Sequence, residues 1–200
     1  MTKRSVALLI YPDVEVLDFA GPFEVFSVAS QLHDHRHFDV SLVAAGHVPL
    51  TSINGMRVCA NHTYDELPSP DVLVVPGGDG SHAALRDEVL MQWVDAAVSH
   101  AELVLSVCSG ARVLAALGHL RDLQVTTHHE VFDSLAELEP TAHLCRDVRF
   151  VDTGHIVTSA GISAGIDASL HVVARLLGAA VALRTAEYME YHWVPVRDYD

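Results

Sequence analysis

Short apolar runs alternate along the chain with longer stretches of helical periodicity, the rhythm of strands joined by helices. Val6-Ala-Leu-Leu-Ile-Tyr11 is continuously apolar, as a strand buried on both faces of a parallel sheet must be. Phe38 to Ala45, Val72 to Val75 and Leu103 to Val107 repeat that character. Between them, Gly21-Pro22 is expected to open a helix striped by Phe23, Val25, Phe26 and Ala29 and ending near Leu32. Residues from Ala83 to Ser99 carry Leu85, Val89, Leu90, Trp93 and Val94 at helical spacing. Gly110 to Leu117 and Val131 to Leu138 read as short helices flanking a short strand, Val125 to Thr127. Arg149 to Asp152 and Ile156 to Ser159, separated by Thr153-Gly154, predict a hairpin on the sheet edge, and Asn54-Gly55 a tight turn. A long helix from Ser163 to Leu177 and a last one through Tyr191 complete the pattern. The expected fold is α/β, a doubly wound, mostly parallel sheet sandwiched by helices, with residues 1–200 as a single domain. The tail from Pro195 to Asp200 is expected to pack loosely or meet another subunit.

Charge narrows the partners. Asp and Glu number 26 against 12 Lys and Arg, giving a net charge of -14 that repels nucleic acid and anionic membrane surfaces. No stretch approaches the roughly 20 apolar residues of a membrane helix. Lys3 and Arg4 precede an apolar run cut short by Pro12 and Asp13, too brief for a signal-peptide core, so a cytoplasmic protein is expected. The 3 cysteines, Cys59, Cys108 and Cys145, show no paired spacing and read as free thiols.

Cys108 stands where ligands of doubly wound sheets collect, at the carboxyl end of the fourth strand. Ser109-Gly110-Ala111 follow at once with the small residues that a sharp strand-to-helix elbow needs. Exposure on such an elbow and the helix N-terminus would both lower the thiol pKa, whereas most lone cysteines are simply small buried hydrophobes. Asp18, between Leu17 and Phe19 past the end of the first strand, makes strand ends one and four candidate neighbours. A carboxyl in such an apolar crevice tends to be protonated and to donate a proton, but a residue in that place also serves as a helix cap. Gly77 and Gly78 end the third strand, and their N–H groups, with that of Ser109, would stabilise an anionic intermediate. His128, next to His129, is a candidate base or hydrogen-bond partner, and a packing role is as consistent with the sequence.

Alternating histidines at His33, His35 and His37 read as a metal motif or as a solvated connection, and the second is preferred, with no metal or other cofactor expected. Cys59, in an expected strand, and Cys145 read as structural thiols. Glu187, Glu190, Tyr191 and His192 are expected to decorate the last helix.

Together, Leu17-Asp-Phe-Ala-Gly-Pro-Phe-Glu-Val25, Val74-Val-Pro-Gly-Gly78, Val107-Cys-Ser-Gly-Ala111, Val125-Thr-Thr-His128 and Ala164-Gly-Ile-Asp167 resemble the ThiJ/PfpI superfamily over nearly the whole chain. The resemblance implies the class I glutamine amidotransferase-like fold, a flavodoxin-like sandwich with a nucleophile-elbow cysteine, and a homodimer. Members include proteases, deglycase-type enzymes, isocyanide hydratases and the ligand-binding halves of AraC-type regulators. Ser109 stands where the protease branch has His, and Asp18 where the redox-sensor branch has Glu. The chain is similar instead to the isocyanide hydratases and the regulators, and with so few residues after the last helix up to Asp200 no helix-turn-helix reader is expected. Thr is the familiar residue after the cysteine in the hydratase branch, so Ser109 is a mild departure. The resemblance implies a cofactor-independent hydratase acting on a small molecule, with Cys108 as nucleophile, Asp18 as proton relay, Ser109 contributing its N–H and Asp167 organising a helix start. A small-molecule or oxidative-stress sensor is the alternative, and a protease or amidase a weaker one.

Overall fold

The computed structural model describes residues 3–195. Five apolar segments form its parallel core: β1 (Arg4–Leu9), β2 (Phe38–Ala44), β6 (Val72–Val75), β7 (Leu103–Val107) and β11 (Ile156–Ser159). All four residues of β6 and all five of β7 are buried, which is why these runs show no polar alternation. Together with β10 (Phe150–Asp152) and β5 (His62–Thr63) they make a 7-stranded sheet in the order β10-β11-β7-β6-β1-β2-β5. Every pairing is parallel except β10 with β11, the expected edge hairpin. Two small ladders lie outside it, β3 (Leu50–Thr51) with β4 (Arg57–Val58) and β8 (Gln124–Val125) with β9 (His143–Leu144). The β3–β4 turn contains Gly55 at φ 85°, as its Asn-Gly pair requires.

Helices flank this sheet. α1 (Val16–Gln31) packs against α6 (Ala164–Leu177) and α7 (Ala179–Tyr188), and α4 (Ala111–Ala116) against α2 (Ser81–Ala84) and α5 (Phe132–Leu138). α3 (Glu88–His100) turns Leu90, Trp93, Val94, Ala97 and Val98 into the same continuous core. No helix among the described residues is long and apolar enough to cross a membrane.

Several boundaries differ from the sequence pattern. α1 starts six residues before Pro22, because the Glu15 side chain accepts the Val16 N–H and caps the helix there. Pro22 therefore lies inside the helix, where the Asp18 carbonyl loses its usual donor four residues on. The expected helix from Ala83 to Ser99 is two, α2 and α3, since the Asp87 carboxylate accepts from Val89 and Leu90 N–H and starts a new helix. α7 stops at Tyr188, so Tyr191 does not decorate it; its hydroxyl donates instead to Asp167 Oδ1 (3.2 Å). Cys59 is exposed just beyond β4 rather than within a strand. Residues 196–200 of the expected tail lie outside the described residues.

Candidate active site

Strand β7 ends at Val107, and the next residue turns the chain. Cys108 takes φ 57°, a left-handed conformation that costs a non-glycine residue energy and is held only by its surroundings. Those surroundings are visible: the Cys108 N–H donates to the Ala160 carbonyl (3.3 Å), and the Cys108 carbonyl accepts from Thr127 Oγ1 (2.7 Å). A 3-10 turn, Cys108–Gly110, leads into α4. Gly110 is obligatory, because a Cβ there would sit 2.1 Å from the Val75 carbonyl oxygen. This is the elbow that the sequence predicted.

Asp18 is fully buried in the first turn of α1. Glu15, not Asp18, caps this helix, which leaves the Asp18 carboxyl free to turn inward. Oδ2 accepts from the Gly77 N–H (3.0 Å), while Oδ1 is buried without a hydrogen-bond partner among the described residues. The carboxyl interacts with the Cys108 thiol. Strand ends one and four are not neighbours, because β6 lies between β1 and β7. Asp18 reaches the thiol nonetheless, from helix α1 and over the turn that ends β6.

Gly77 and Gly78 hold partners other than the thiol. Gly77 N–H is spent on Asp18, and Gly78 N–H donates to Ser109 Oγ (2.9 Å), which donates in turn to the Gly78 carbonyl (3.2 Å). The expected pair of free glycine donors is thus corrected: this turn positions the acid and the elbow. Donors that do favour a charged sulfur are the backbone N–H groups of Ser109 and Ile162. Ile162 also lies at positive φ, 54°, an unusual posture for a β-branched residue.

Burial governs both titrating groups. It pushes the Cys108 thiol up to about 12, with the neighbouring Asp18 charge adding to the rise. Burial likewise pushes the Asp18 carboxyl up to about 7, against the opposing Gly77 and Cys108 hydrogen bonds. The sequence expectation of a low thiol pKa is therefore reversed, because Cys108 is only 8% exposed and desolvation outweighs the helix N-terminus. The rise that the sequence expects for Asp18 is present in direction, and it leaves the acid shared between its protonated and ionised forms near neutral pH.

Cys108 and Ser109 open on a cavity of about 380 Å³, lined also by His82, Arg112, His128 and Ile162, with Glu15, Asp79 and Glu130 around it. His128 is half-buried, and burial, with the neighbouring His129 adding to it, lowers its pKa below the usual imidazole range. Its Nδ1 accepts the Glu130 N–H (3.3 Å) and it makes no hydrogen bond to Cys108. His129 is exposed. Among the described residues one group, His128, His129 and Glu130, brings three potential metal-ligand atoms within 4.8 Å; the run from His33 to His37 does not. Asp167, in the first turn of α6, accepts from Arg149 Nε (2.7 Å) and ties the edge strand to that helix.

Sequence reasoning missed Thr127, Arg112 and Ile162. Thr127 lay inside the Val125-Thr-Thr-His128 motif, and Arg112 follows Cys108 by four residues, in the first turn of the helix that the elbow opens. Nothing local marked Ile162, whose place depends on β11 pairing with β7.

The DJ-1/PfpI family pattern matches residues 4–175. The chain belongs to the DJ-1/PfpI family. It is similar to the isonitrile hydratase of Pseudomonas putida, 31% identical over 197 residues that cover 97% of this chain and 81% of that protein. It is also similar to the HTH-type transcriptional regulator CdhR of Pseudomonas aeruginosa, 28% identical over 90% of this chain but only 52% of the regulator. Among solved structures, a ThiJ/PfpI family protein from Pseudomonas syringae superimposes with a TM-score of 0.86 at 30% identity, covering 99% of this chain and 79% of that one. These relatives accord with the family resemblance and the sandwich fold read from the sequence.

Proposed function

We propose that this protein is a cofactor-independent cysteine enzyme that hydrates isocyanides to N-formamides. The observation that carries the reading is the buried pair of Asp18 and Cys108, a carboxyl held near neutrality against an elbow thiol. The similarity to an isonitrile hydratase over 97% of the chain supports the choice of reaction.

Ionised Asp18 takes the Cys108 proton as the sulfur attacks the terminal isocyanide carbon, and it then returns that proton to the same carbon, giving an enzyme-bound thioimidate. Water adds to this carbon, its proton passing through Asp18 to nitrogen. Collapse expels the thiolate as Asp18 carries the remaining hydroxyl proton to sulfur, releasing R–NH–CHO, restoring the starting thiol and ionised acid, and consuming one water overall. The Ser109 and Ile162 N–H groups stabilise the thiolate at each end of the cycle. Ser109 Oγ and the Gly77-Gly78 turn keep acid and elbow in register. His128 is an auxiliary group on the cavity wall. The protein works as a single domain within a homodimer, without metal or cofactor, on a small-molecule substrate in the cytoplasm.

A sensing role has less support, because a thiol pushed up to about 12 is slow to react with peroxide unaided. The deciding experiment incubates wild type and Cys108→Ala with a simple aryl isocyanide and follows the N-formamide. Product from wild type alone is expected. Absence of product from both proteins, with carboxylate-bearing as well as neutral isocyanides, would overturn the hydratase reading and leave the fold intact.

A further inference from the structure

Arg112 has a charge that the hydratase chemistry does not use. Its side chain is only 9% exposed, a rare setting for a guanidinium unless an anion accompanies it. Its partners are two hydroxyls. Nε and Nη2 donate to Ser134 Oγ (3.1 and 3.0 Å), and Nη1 donates to Ser81 Oγ (3.1 Å). No carboxylate of the described residues forms an ion pair with it, although Arg4, Arg36, Arg146, Arg149, Arg175 and Arg184 all have one. Five N–H donors less these bonds leave one on each terminal nitrogen.

The guanidinium lines the same cavity as Cys108. The acidic residues there form no ion pair with it: Asp79 acts on its charge only from a distance and is exposed, as is Glu130, and Glu15 is engaged in capping α1. Of the two histidines, His82 is exposed, and burial disfavours a charge on His128. The two hydroxyls orient the fork without cancelling its charge. Planar, bidentate donors beside a reacting sulfur suit a planar anion.

We infer that Arg112 is a specificity-determining residue that binds a carboxylate on the substrate, so that the preferred substrates are small electrophiles bearing a carboxylate close to the carbon attacked by Cys108. Within the hydratase reading, on which the choice of electrophile rests, this means isocyano acids such as isocyanoacetate.

Two measurements test it. The first needs no turnover: Cys108 is alkylated with iodoacetate and with iodoacetamide, which share size and leaving group but differ in charge, and the modified peptide is quantified by mass spectrometry. Wild type is expected to favour iodoacetate. Arg112→Met lowers the iodoacetate-to-iodoacetamide ratio by about ten- to a hundredfold, the scale of one charge-assisted bond, and Arg112→Lys lies between. Millimolar propionate protects wild-type Cys108 against iodoacetamide, an arm that survives if the variants do not fold. An unchanged ratio, equal slowing of both reagents, or no protection by propionate would overturn the proposal, since equal slowing means that Arg112 acts on the thiolate alone. The second measurement compares kcat/KM for isocyanoacetate and its methyl ester, and Arg112→Met is expected to erase a preference for the acid. If neither is hydrated while the alkylation ratio behaves as stated, the carboxylate site stands and the hydratase reading falls.

Discussion

Ser109 Oγ accepts the Gly78 N–H at 2.9 Å and donates to the Gly78 carbonyl at 3.2 Å, a two-way tie between the elbow and the turn that ends β6. Gly77, one residue earlier, holds Asp18. A single hydroxyl therefore couples the Cys108 elbow to Asp18 through adjacent glycines. Ser109→Ala is expected to lower turnover on the order of ten- to a hundredfold through misplacement, and stability by about 1–2 kcal/mol. Ser109→Thr keeps the hydroxyl and should restore most of both. Steady-state kinetics and urea denaturation of the two variants check this.

The titration of the acid sets the pH profile. Asp18 near 7 and Cys108 near 12 make a pair that holds one proton across the alkaline range and two below neutrality. Attack needs an ionised Asp18 to accept the thiol proton. kcat/KM should therefore rise about tenfold per pH unit below about 7 and stay flat above it. A profile falling from pH 6 to pH 8 would contradict the assignment of Asp18 as base.

The same burial costs stability. Raising a carboxyl from 3.8 to about 7 on folding favours the folded state while the acid is protonated, and that advantage is lost as pH rises through the folded value. The burden on the folded protein at pH 8 is roughly 4 kcal/mol. Asp18→Asn keeps an acceptor for the Gly77 N–H and cannot ionise. It should be inactive, and more stable than wild type at pH 8 by more than at pH 4, measured by thermal or urea denaturation at both pH values.

Conformation supplies a prediction separate from chemistry. Cys108→Ala and Cys108→Gly both remove the sulfur, yet only glycine adopts φ 57° without a steric cost. Both variants should lose turnover, with Cys108→Gly more stable than Cys108→Ala by about 1 kcal/mol in urea midpoint comparisons.

Much of this was legible in the residues themselves. β6 and β7 announce burial by their unbroken apolar runs, and Cys108-Ser-Gly-Ala announces the elbow because only small residues fit beside Val75. Proline at position 22 misled, since its preference for a helix start yielded to a glutamate cap seven residues upstream. The thiol's acidity was misjudged for a different reason. Local sequence shows the helix behind Cys108 but not the solvent excluded around it, and exclusion dominates. Ile162 was invisible because only the pairing of β11 with β7 brings it across.

Thr127 and Ala160 grip the two backbone polar groups of Cys108, and Ile162 brings a donor to its sulfur. These three lie 19 to 54 residues downstream of the cysteine. During synthesis Cys108 therefore leaves the ribosome long before the segments that fix its posture. A chain halted near residue 150 would possess the cysteine, the acid and the glycine turn, yet it would lack β11 and the strand-end contacts that impose the left-handed elbow. The order of translation thus keeps the thiol unassembled until most of the chain has emerged.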